Sequence, residues 1–65
     1  MPSTEQTAYR SGHALGRECA DLGYAEQSAR RYVGCDRIGA RPTIAEQRLI
    51  SAFMSGALAG MWAEG

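Results

Sequence analysis

No lysine occurs among the 65 residues; all seven basic side chains are arginine, and seven acidic side chains bring the formal net charge to zero. A neutral chain has no overall field to draw it to nucleic acid or to an anionic membrane. Without lysine there is no phosphate-binding G-x-x-x-x-G-K loop. One histidine, His13, and two cysteines, Cys19 and Cys35, are too few and too scattered for a zinc site. They allow at most one disulfide. The first ten residues, MPSTEQTAYR, lack the apolar core of a secretory leader, so the expectation is a cytoplasmic protein with reduced thiols. The longest run without charge, Leu49 to Ala63, falls short of the ~20 residues that cross a bilayer. No basic face flanks it to hold it on a membrane surface. No serine has a base placed beside it by local sequence. The reading is therefore no enzyme, no cofactor, no metal and no membrane.

What the chain has in quantity is small residues. Eight glycines and many alanines leave few large apolar side chains outside the C-terminal run: Tyr9, Leu15, Leu22, Tyr24, Tyr32, Val33, Ile38 and Ile44. At this size the apolar burial of one core roughly balances the entropy of ordering the chain. A second copy or a partner is expected to supply the rest.

Periodicity places three helices in a single domain over 1–65. The first, about 4–21, opens on Ser3 with Gln6 three residues on, the pattern of a capping box. It carries Ala8, Gly12, Leu15, Gly16, Cys19 and Leu22 on one face, and Gly23 is its expected C-terminal cap. The second, about 24–33, has Ala25, Ala29 and Tyr32 or Val33 inward and stops at Gly34. The third, about 44–63, starts at Thr43, with Glu46 completing a capping box and Pro42 just outside. It is apolar nearly all round, which requires enclosure. The fold expected is all-α, a small three-helix domain organised on its C-terminal helix and dimeric.

Two of these helices echo one another. Ala8-Tyr9-Arg10-Ser11-Gly12-His13-Ala14-Leu15-Gly16 and Ala52-Phe53-Met54-Ser55-Gly56-Ala57-Leu58-Ala59-Gly60 share A-[YF]-x-S-G-x-x-x-G. Glycines four apart line one side of a helix where another backbone can approach closely. Gly12, Gly16, Ala52, Gly56 and Gly60 are thus the expected helix-packing and self-association residues, within one chain or between two.

The charge is uneven. Residues 30–48 carry five arginines against Asp36 and Glu46. Arg30, Arg31, Arg37, Arg41 and Arg48, with Tyr32, form a candidate partner-binding patch, because arginine and tyrosine are enriched at interfaces. Met54, Met61 and Trp62 join them as apolar surface that two short helices cannot cover. A DNA-binding helix-turn-helix fits poorly: with Gly34 in the turn, Arg30 takes a position that must be small, and Pro42 enters the recognition helix.

The segments Ala8 to Arg17 and Phe53 to Gly56 resemble the glycine-spaced helices of the ribosome modulation factor family. That resemblance spans about a quarter of the chain and implies ribosome binding and translational silencing. Those proteins are strongly basic with a short connection, whereas this chain is neutral and inserts a helix between the motifs. The leading expectation is a non-enzymatic binding protein that docks on a larger host protein or ribonucleoprotein complex and inhibits or modulates it, in the manner of phage-encoded inhibitors such as anti-CRISPR proteins. The alternatives are a ribosome-associated translation modulator and a small DNA-binding regulator.

Overall fold

The computed structural model describes residues 4–35, 39 and 41–63. Three helices follow in order: α1 (Thr4–Glu18), α2 (Leu22–Tyr32) and α3 (Ile44–Trp62). Among the described residues there is no strand. The all-α expectation holds, and most interhelical contact lies between α1 and α3, with α2 resting chiefly on α3.

Each boundary has a local cause. α3 begins with the expected capping box: the Glu46 amide donates to Thr43 Oγ1 at 3.2 Å, and the Thr43 amide donates to Glu46 Oε1 at 2.9 Å. Two of the helix's orphan donors are thereby satisfied. α2 ends in a Schellman arrangement, in which the Cys35 amide donates to the Arg30 carbonyl at 2.8 Å and the Gly34 amide to that of Arg31 at 3.1 Å. The turn needs the left-handed conformation that Gly34 adopts at φ 76°, and it folds Cys35 into a buried position. The cap expected at Ser3 lies outside the described residues.

The junction between α1 and α2 differs from the sequence reading. Gly23 does not cap α1; it is the second residue of α2. Asp21 is the reason. In extended conformation its carboxylate accepts from the Tyr24 amide at 3.1 Å, which makes it the N-cap of α2 and stops α1 at Glu18. Leu22 consequently leaves the inner face of α1 and is exposed on the first turn of α2.

α1 and α3 meet backbone to backbone. A methyl group on Gly12 would collide with the carbonyl of Phe53, its carbon 2.8 Å away, and one on Gly56 would meet the carbonyl of Tyr9 at the same 2.8 Å. Gly16 faces the Ala57 carbonyl and Gly60 that of His13. Contacts therefore advance together along both chains, so the two helices run parallel. Tyr9 corresponds to Phe53, Gly12 to Gly56, His13 to Ala57 and Gly16 to Gly60, always with the same residue offset. The repeated motif is thus a physical pair, related by a local twofold axis running between the helices. Such proximity allows Cα–H to carbonyl contacts that a side chain would block.

A parallel pair cannot be joined by a short hairpin. The chain must travel back the length of α1, about 22 Å at 1.5 Å per residue, and α2 with the segment after it does so. On the way α2 covers one face of the pair: Ala29 is buried with Ala8 and Phe53, with Leu15, Leu49, Ile50 and Met54 packed around them, and Tyr32 tilts over Phe53 with ring centroids 5.5 Å apart. Apart from Phe53 the core is made mainly of small residues, and among the described residues no large side chain is completely buried.

Gly56→Ala should lower stability by about 2 kcal/mol or more, even though alanine is the better helix former, because the added methyl meets backbone that cannot rotate away. Urea unfolding followed by circular dichroism measures it. Thr43→Ala should cost about 1 kcal/mol near neutral pH. Hydrogen bonds from Thr43 hold the Glu46 carboxyl below its ordinary value of 4.5. A depressed carboxylate stabilises above its unfolded-state pKa and loses that contribution as pH falls through the folded one. Because the first of these bonds comes from the Thr43 backbone amide, which alanine at 43 keeps, the carboxylate itself has to be removed: the gap between wild type and Glu46→Gln should narrow in acid, below about pH 4, in denaturation curves at both pH values.

Candidate functional site

The twofold pair buries its glycine side, so the opposite side of α3 faces outward. Ile44, Arg48, Ser51, Ser55, Leu58 and Trp62 follow one another at spacings of four and three, and all six are exposed. That spacing is the seam period of a coiled coil. The row is shaped: bulky residues stand at both ends, Ile44 and Arg48 at one and Leu58 and Trp62 at the other, and two serines lie between. Trp62 is 82% exposed and Ile44 74%. Both are large apolar side chains of the kind that anchor interfaces.

Of the described arginines predicted from sequence, Arg48 alone stands in this row, one turn into α3 on the exposed side. Arg30 and Arg31 are exposed in the last turn of α2, where their charge also favours the helix C-terminus. Arg41 is exposed just ahead of α3, and Arg37 lies outside the described residues. Tyr32 is partly exposed and spends its ring on Phe53.

The methionines also separate from the tryptophan. Met54 and Met61 are half-buried, and Met54 packs against the Ala8, Ala29 and Phe53 cluster beneath α2. Trp62, one residue beyond Met61, points about 100° further round the helix. Arg48, Ser51 and Ser55 are the narrow polar edge of an otherwise apolar α3, and Ile44, Leu58 and Trp62 continue the same line, a signal present in their spacing. Gly12, Gly16, Gly56 and Gly60 are buried, Ala52 is half-buried beside them, and Ala57, not singled out by spacing, completes the contact.

Other chemistry is sparse. Cys19 is half-buried and Cys35 buried, both as free thiols. Among the described residues no group of three metal-ligating side chains converges, and no helix is long and apolar enough to cross a membrane. His13 lies beside Tyr9 on α1, ring centroids 6.4 Å apart. Together with Arg10, Ala14, Arg17 and Glu18 they line an open concavity of about 560 Å³. A second of about 410 Å³ opens where the N-terminal ends of α1 and α3 come together, between Thr4, Glu5, Ile44, Ala45, Arg48 and Leu49.

Compared with protein-family models, curated proteins and solved structures, the chain matches none.

As the single tryptophan and almost fully exposed, Trp62 should emit at the long wavelength of solvated indole and be quenched readily by iodide. A blue-shifted emission resistant to quenching in the free protein would contradict the outward row.

Proposed function

We propose that this protein is a non-enzymatic binding module that docks on a larger protein or ribonucleoprotein through the outward row of α3 and modulates or blocks it. The observation that carries the reading is the row itself: an interface-type spacing with Trp62 and Ile44 exposed at opposite ends of one rigid helix.

The choice of a protein surface over a nucleic-acid phosphate backbone rests on charge. Arg48 is the only charged residue in the row, and phosphate binding draws on several basic groups at once. An inhibitor of the phage type, anti-CRISPR proteins among them, suits the small size and the absence of catalytic groups. A ribosome-associated translation modulator and a DNA-binding regulator are the competing readings, and both demand steep salt dependence. Homodimerisation is a further role for the row, since the glycines are occupied within the chain.

The test compares wild type with a Trp62→Ala/Ser55→Arg variant as bait in bacterial lysate, with captured proteins identified by mass spectrometry at low and high salt. Melting curves should coincide, because both positions are exposed. Partner recovery should fall about tenfold or more for the variant and change little with salt. Equal recovery by both baits would refute the reading; recovery abolished by salt alone would transfer it to the nucleic-acid classes.

A further inference from the structure

The outward row of α3 has the same shape read from either end. Ile44, Arg48, Ser51, Ser55, Leu58 and Trp62 occupy levels symmetric about Phe53, the buried residue on the far side of the helix. Reversing the helix about that level exchanges Ile44 with Trp62, Arg48 with Leu58 and Ser51 with Ser55. Size follows the same symmetry, with two bulky side chains at each end and two serines between them. Isologous contact about a twofold axis requires such a surface, because whatever residue one position meets must meet that position in return. The gradient of size also suits two helices that cross. Their axes are nearest at the crossing and diverge away from it, so small residues belong in the middle and large ones at the ends.

We propose that this row receives the same row of a second copy, antiparallel, with the crossing at the two serines. The one charge in the row sets the direction. In a parallel pair Arg48 shares its level with Arg48 of the second copy, and like charges face each other across the seam. Antiparallel pairing places the two Arg48 positions about 15 Å apart along the axis and gives each a level shared with Leu58. Side chains on a helix lean toward its N-terminus, which carries Arg48 toward Trp62 of the second copy. The face of an indole is a favourable seat for a guanidinium. Ile44 packs on the same indole, and Ser51 and Ser55 hydrogen-bond through their hydroxyls across the crossing. A seam about 27 Å long on one helix lies at the small end of the interface scale, so the dimer is of the transient class. It covers the surface by which the protein docks on a larger partner, so pairing and docking exclude one another. That consequence rests on the binding-module reading; the pairing itself does not.

Sedimentation equilibrium of the full-length protein, with its thiols kept reduced, measures the pairing from low micromolar to millimolar concentration, and Trp62 emission follows it. Dilute protein should be monomeric with the emission of solvated indole. Concentrated protein should be dimeric with its emission shifted to the blue. Ser55→Arg should weaken the dimer about tenfold or more while leaving the melting temperature of the dilute protein unchanged. Leu58→Glu reports the direction. In the antiparallel pair the new carboxylate meets Arg48 of the other copy twice over, so the dimer should persist at low salt and weaken as salt rises. Adding Arg48→Glu to it should abolish the dimer. A protein that stays monomeric at millimolar concentration overturns the proposal, and so does a dimer that Ser55→Arg leaves intact. Loss of the dimer in Leu58→Glu at every salt concentration overturns it as well, since carboxylates then face each other in a parallel pair. The lysate comparison of the Trp62 variant, run with dilute monomeric bait, decides the docking reading separately from any of these results.

Discussion

Everything in this small fold depends on two backbones being allowed to touch. At Gly12, Gly16, Gly56 and Gly60 the opposing carbonyls occupy the space that side chains would need. A chain this short has few large apolar groups to bury, and close approach is the other route to dense packing, since each atom pair contributes little and only many of them count. The cost is helix propensity, about 1 kcal/mol for each glycine relative to alanine. Four such positions are tolerated because the helices are held by the contact and not by their own preference.

The direction of the pair then dictates the rest. Parallel neighbours require a return crossing, and α2 is that crossing. Its capping at Asp21 and its glycine stop at Gly34 make it a discrete helix of the length needed to come back. Because it lies on one side only, it breaks the symmetry of the pair. One set of flanks becomes core, with Phe53 under Tyr32; the equivalent set, led by Tyr9, remains surface. The molecule is correspondingly flat, 37 × 30 × 12 Å between Cα atoms, with much of α3's outward side left uncovered.

How far the sequence foretold this varies with the physics involved. The repeated A-[YF]-x-S-G-x-x-x-G was legible because glycine at four-residue spacing has few uses in a helix other than close contact. Thr43 and Glu46 were legible because a capping box is local. Gly23 misled because glycine marks helix ends in general, while the side chain that decided the boundary was Asp21, two residues earlier. The outward row of α3 was hidden by composition. A helix apolar nearly all round does not show by periodicity which of its sides is exposed, and only the placement of α1 and α2 reveals that the line of Ile44, Leu58, Trp62 and the serines faces outward, whereas Met54 turns inward. The arginines were grouped by proximity in sequence, and the structure distributes the described ones over the end of α2, the segment ahead of α3 and the first half of α3.

The central claim is that α1 and α3 form a parallel, glycine-mediated pair within one chain. Isotope-filtered NOE spectroscopy on a mixture of labelled and unlabelled protein tests it most directly. The account predicts contacts from the Gly12 α-protons to Phe53 and Ala57, and from those of Gly56 to Tyr9 and His13, all arising within a single chain. Contacts pairing Gly12 with Gly60 in the antiparallel sense, or the predicted contacts appearing only between labelled and unlabelled copies, would contradict it.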